Sequence, residues 1–139
     1  METNEQTRIA WDIIETTNTN LFLTGKAGTG KTTFLRHLRR ESAKRIVVLA
    51  PTGIAAINAE GVTIHSFFQL PFAPYIPEAN YKLSSGQFRF GKEKIRVIRS
   101  IDTLVIDEIS MVRADLLDAV DNVLRRYRRS NAPFGGVQM

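Results

Sequence analysis

Eight consecutive residues, Gly25-Lys26-Ala27-Gly28-Thr29-Gly30-Lys31-Thr32, set two glycines five positions apart and follow the second with a lysine and a hydroxyl. Leu21-Phe22-Leu23 just before them reads as a short, fully buried strand, and Phe34, Leu35 and Leu38 just after recur at helical spacing. Strand, glycine loop and helix stand in the order that anion binding needs. Glycines let the backbone curl around phosphate oxygens, so that N–H groups and the positive end of the next helix converge on the anion. The pattern arises by chance in roughly 0.5% of chains this long. The alternative is a glycine-rich turn that only caps a helix. Taken as a phosphate-binding loop of the Walker A kind, the stretch predicts a nucleoside triphosphate cradled by Gly25, Ala27, Gly28, Thr29, Gly30, Lys31, Thr32 and Thr33. Lys31 would meet the terminal phosphates, and the Thr32 hydroxyl would ligate the accompanying Mg2+.

The 139 residues suit one α/β domain but are few for a complete motor, so the chain is expected to be a piece of a longer one. No cysteine is present, which excludes a disulfide framework and thiolate metal sites and fits a reducing compartment. Neither a signal peptide nor a membrane-length apolar run appears, so a cytoplasmic or nuclear location is expected. A net charge of +5 favours polyanionic partners. Its placement tempers that inference. Arg125, Arg126, Arg128 and Arg129 end a helix opened by Asp115, Asp118 and Asp121, and Arg36, Arg39 and Arg40 oppose the apolar face of theirs. Both groups read as solvated helix surface.

Residues 4 to 17 read as a helix with Ile9, Ala10, Ile13 and Ile14 as its stripe, and Thr3 with Gln6 matches a capping box. A strand at 21–24 and a helix over 31–41 follow, and then Ile46-Val47-Val48-Leu49-Ala50, continuous in apolar character as a buried parallel strand should be. Thr52 to Ala59 predicts a short helix, and Val62-Thr63-Ile64 a short strand. Three prolines between Leu70 and Gly91 break the pattern and mark a surface insertion. Lys92 to Ser100 predicts a helix, Thr103 to Asp107 a buried strand, and Ala114 to Arg128 a final helix with Leu116, Leu117, Val120, Val123, Leu124 and Tyr127 on one face. Strands alternating with helices imply a parallel sheet covered on both faces, with ligands at the carboxyl ends of the strands.

All the candidate chemistry falls at that edge. Asp107-Glu108 closes the last strand. A strand-tip aspartate can hold Mg2+ through water, and the next glutamate can orient or deprotonate the water that attacks a γ-phosphate. Adjacent carboxylates at a strand end also occur as plain surface residues.

Four stretches together carry a resemblance: Leu23 to Thr32, Ala50-Pro51-Thr52-Gly53-Ile54-Ala55-Ala56, Gly61-Val62-Thr63-Ile64-His65-Ser66-Phe67, and Val105-Ile106-Asp107-Glu108-Ile109-Ser110-Met111. In order and spacing the chain resembles the Pif (petite integration frequency) family of DNA helicases. The resemblance implies a P-loop NTPase of RecA-like fold, incomplete at its C-terminus. It implies ATP and Mg2+ as cofactors and a superfamily-one motor moving 5′ to 3′ on single-stranded DNA, unwinding forked duplexes or G-quadruplexes in DNA repair and telomere maintenance. It divides the chain into a leading helix (1–20), the loop and first DNA motifs (21–69), an insertion (70–91) and the Asp-Glu strand with its following helix (92–139).

Residue by residue, Gln6 matches the family's adenine-reading glutamine, with the capping box as its alternative. Lys31 and Glu108 match the catalytic pair, and Thr32 and Asp107 the metal ligands. Thr52 and Gly53 match a DNA-backbone motif, or Thr52 simply caps a helix. His65, Ser66 and Phe67 match a single-strand motif, in which the ring stacks on a base, or they are a satisfied histidine and a core phenylalanine. Phe68 reads as core.

Residues 133–139 resemble the approach to the family's third motif, a strand ending Gly-Asp, which is absent, as is the second motor domain. That strand is expected between the Walker A and Asp-Glu strands, supplied by a continuation of the chain or by another chain. Direct pairing of the Leu21 and Leu104 segments would contradict it. Two rivals stand beside the helicase. A GTPase lacks support because no Asn-Lys-x-Asp occurs, and Glu108 argues against a metabolite kinase. A module that binds ATP and DNA only to load or recruit partners would share every motif.

Overall fold

Ile46 to Ala50 is apolar at every position, so it is stable only where both faces are covered. It forms the centre of the sheet. In a computed structural model, which describes residues 4–25, 30–70 and 90–139, β1 (Ile46–Ala50) lies between β2 (Val62–Thr63) and β3 (Thr103–Ile106), and both pairings are parallel. The register sets Ile46 opposite Thr103 and Leu49 opposite Ile106 on one side, and Leu49 opposite Val62 on the other. Gly61 lets β2 approach: a Cβ there would stand 2.2 Å from the Val48 carbonyl oxygen.

Alternation along the strands divides the core in two. Ile46 and Val105 face α1 (Glu5–Thr16) and α2 (Lys31–Glu41), whose Ala10, Ile14, Phe34 and Leu38 are buried together. The Trp11 and His37 rings, 5.0 Å apart, close that seam. Leu49 and Leu104 face the larger cluster, built with Ile64 and Phe68 of α4 (Ile64–Phe68), Ile98 of α5 (Lys92–Ser100), and Val120 and Leu124 of α6 (Ala114–Arg128). A short α3 (Gly53–Asn58) joins β1 to β2. Both α5 and α6 hold the predicted bounds. Ile64 is the first residue of α4 rather than the last of a strand.

Several expectations need correction. Leu21 to Thr24 does not join the sheet ladder, and Phe22 is 74% exposed, because a groove separates this segment from β3. As expected, Leu21 and Leu104 do not pair directly. Val137–Met139 runs between them: Leu104 N–H donates to the Gln138 carbonyl (2.8 Å), Gln138 N–H to that of Asp102 (3.1 Å), and Leu21 N–H to that of Met139 (2.9 Å). The first helix is capped by Asn4, whose side chain accepts from Thr7 N–H (2.8 Å); Thr3, the expected cap, lies outside the described residues. Gln6 is exposed and Ile9 is 49% exposed, so the buried stripe is Ala10 and Ile14, and Gln6 does not face the core.

The α6 arginines are not all solvated. Arg128 donates to the carbonyls of Gly135, Ile98, Arg99 and Ile101, which closes the C-terminal end of α5, and Arg125 pairs with Asp121 at 2.8 Å. Most of the expected insertion, residues 71–89, lies outside the described residues.

Candidate functional site

Gly30 adopts φ +93°, a left-handed conformation that favours glycine, and so turns the chain into α2. That puts Lys31 in the first helical turn, where its ammonium donates to the Gly25 carbonyl at 2.5 Å and bridges the two ends of the loop. Thr32 and Thr33 follow on the exposed face of the same turn. Ala27, Gly28 and Thr29 lie outside the described residues.

Across the groove, Asp107 N–H donates to the Leu49 carbonyl (2.8 Å), which fixes the aspartate at the tip of β3. Its Oδ1 accepts from Glu108 N–H at 3.0 Å. Glu108 has φ +56°, a left-handed conformation unfavourable to an L residue with a Cβ, and opens a 3-10 turn over Ile109–Met111. The groove, of about 550 Å3, is lined by Gly25, Lys31, Asp107 and Glu108 among others. Lys31 and the carboxylate pair therefore share one cleft at the carboxyl edge of the sheet. Asp107 offers the groove a hard carboxylate oxygen of the kind Mg2+ takes, whereas Thr32, exposed in the first turn of α2, does not line the groove.

The second group of candidates is not in this groove. Thr52 stands beyond the carboxyl end of β1, and its hydroxyl accepts from Ala55 N–H at 3.2 Å, so it caps α3, with Gly53 exposed beside it. Thr63 does the same for α4, accepting from Ser66 N–H at 3.1 Å. His65 is half-buried and Ser66 exposed. Phe67 departs from the expected stacking role: it is 8% exposed, stands edge-on to Phe68 at 4.9 Å, and carries the Lys94 ammonium 3.7 Å from its ring centre. No ring face is open to a base. Burial lowers the Lys94 pKa below the ordinary lysine value. Gln6, on α1, does not line the groove.

Two residues carry more than their sequence signalled. Gln138 is 1% exposed and fully engaged: its Oε1 accepts from Thr103 Oγ1 (2.7 Å) and Lys44 Nζ (3.0 Å), and its Nε2 donates to the carbonyls of Ile13, Thr17 and Thr19. A polar residue between Val137 and Met139 was its signal, too short to carry a period. Lys94 shares the inward face of α5 with Ile98, four residues on, and a lysine in that place was the mark.

A glycine loop entering a helix opposite an Asp-Glu strand tip on a parallel α/β sheet defines a P-loop NTPase of RecA-like architecture. The model of the PIF1-like helicase family matches residues 1–139, and the chain belongs to that family. It is 38% identical over 125 residues to the ATP-dependent DNA helicase PIF1 of Saccharomyces cerevisiae (strain YJM789), a match covering 86% of this chain and 14% of that protein. Two Pif1 structures from Bacteroides, one in complex with ADP-AlF4 and one with ADP-AlF3 and ssDNA, superpose with TM-scores of 0.88 and 0.86. Each is 46% identical, and the match covers 99% of this chain and 31% of that one. The chain thus spans less than a third of the relatives it matches here. Among the described residues no helix is long and apolar enough to cross a membrane.

Proposed function

We propose that this chain is the nucleotide-binding part of an ATP-dependent DNA helicase that moves 5′ to 3′ on single-stranded DNA and opens forked duplex or G-quadruplex DNA. One observation carries the reading: Lys31 and Gly25 share a groove with Asp107 and Glu108 at the carboxyl edge of the sheet. Lys31 would exchange the Gly25 carbonyl for the terminal phosphates, and Glu108 would hold and deprotonate the attacking water. Thr32 and Asp107 would hold Mg2+, which when bound offsets the charge of the phosphates. Gln6, exposed at the start of α1, would read adenine. Thr52, Gly53, His65 and Ser66 would offer donors to the strand's phosphates, with Phe67 beneath them as support.

The strand that completes the sheet would enter the groove along Gln138 and Met139, and a second motor domain would supply the rest of the ATP site. A cytoplasmic or nuclear setting, with DNA repair and telomere maintenance as its uses, goes with this reading.

ATP hydrolysis by the intact protein, with and without single-stranded DNA, tests it. Wild type should be stimulated by DNA, and Lys31→Ala and Glu108→Gln should each lower kcat by about 10²–10⁴. Glu108→Gln should still bind nucleotide. Undiminished hydrolysis in both variants would overturn the assignment. DNA and ATP binding without hydrolysis in wild type would favour a loading or recruitment module.

A further inference from the structure

We propose that Lys94 is a further contact for single-stranded DNA, a phosphate-binding cation held in place by the ring of Phe67. The inference rests on the reading of the α3 and α4 segments as a single-strand site and extends it to a helix outside those motifs.

Topology supplies the first step. The α5 helix leads through Ile101 into the amino end of β3, so it runs against the strand direction and its first turns stand at the carboxyl edge. That is the edge from which Thr52 and the α4 segment project. Lys94 is the third residue of α5, and its ammonium lies 3.7 Å from the centre of the Phe67 ring.

Electrostatics supplies the second. A lysine partly withdrawn from water ordinarily pairs with a carboxylate. Among the described residues the ion pairs are Arg36–Glu60, Arg40–Glu41, Arg113–Asp115 and Arg125–Asp121, and none involves Lys94. A ring face compensates an ammonium only in part, and the pKa of Lys94 is lowered accordingly. Among the described residues the Lys94 ammonium has no anionic partner, and it stands beside the edge from which the proposed phosphate donors project. A phosphodiester would provide the missing partner, and Phe67 would fix where the cation meets it. This also gives the motif's aromatic residue a role that needs no exposed face.

The test is a salt series of anisotropy titrations with a labelled oligothymidylate and the intact protein. Lys94→Met keeps the ring covered, since a thioether packs well on an aromatic ring. Lys94→Arg keeps the charge. Lys94→Met should bind about tenfold more weakly. The slope of log K against log salt should become shallower by about 0.7, the value for one phosphate contact on a single strand. Lys94→Arg should retain the wild-type slope. Wild-type affinity and slope in Lys94→Met, with binding weakened in Thr52→Ala, would overturn the role of Lys94 alone. Unchanged binding in both variants would overturn the placement of the site at this edge and the proposal with it.

Discussion

The two flanks of the sheet hold their motifs by different means. On the β2 flank, strand ladders and local caps do the work: β2 pairs with β1, Gly61 fits against the Val48 backbone, and Thr52 and Thr63 cap the helices that follow. On the other flank the segment leading into the phosphate loop has no ladder. Leu21 bonds to Met139, and the Gln138 side chain joins the turn after α1 to Lys44 and β3. A ladder resists opening along its whole length, whereas a side-chain node is one point. The flank that would take up and release a nucleotide is thus the one tied by a few polar contacts.

The largest effect on this contrast should come from breaking the node. Gln138→Leu removes the acceptor of the Thr103 hydroxyl, one acceptor of Lys44, and the donor to three carbonyls. Leucine cannot serve any of them. With each buried group left unsatisfied costing about 1–3 kcal/mol, and some regaining water, a loss of about 4 kcal/mol is expected by denaturant titration. Hydrogen exchange should accelerate first around residues 17–24. If protection is lost first in β1 and β2, the node is not what holds this flank.

Gly61→Ala strikes the other flank. The added Cβ would meet the Val48 carbonyl oxygen at 2.2 Å, a backbone atom that no rotamer change can move, so β2 must shift. A cost of about 1–3 kcal/mol is expected, with weakened single-strand binding and nucleotide affinity unchanged. Equal loss of both would show that the flanks are one mechanical unit.

What was legible in the sequence divides along the same line. Continuous apolar runs and helical stripes mark β1, β3, α5 and α6 because burial writes itself into every position of those segments. That Lys31 meets Asp107 and Glu108 in one groove was legible because the glycine-loop and Asp-Glu patterns restrict both residue type and spacing. Three features were not. Phe22 looks buried by composition, but its exposure depends on what lies across the groove. Arg128 reads as a solvated helix end until α5 presents its terminal carbonyls. Gln138 reaches partners more than 100 residues away, and no local pattern encodes such a contact.

The smallest effect separates strain from chemistry at Glu108. Its φ of +56° costs an L residue about 1–2 kcal/mol, which glycine avoids, while glycine surrenders about 0.5–1 kcal/mol of chain entropy on folding. Glu108→Gly should therefore leave the fold as stable as wild type or about 0.5–1 kcal/mol more so, although hydrolysis falls as far as in Glu108→Gln. Thermal unfolding of the two variants side by side decides it. A melting temperature for Glu108→Gly below that of Glu108→Gln would mean that the turn over Ile109–Met111 depends on the side chain, and that the left-handed backbone stores no strain for the groove to use.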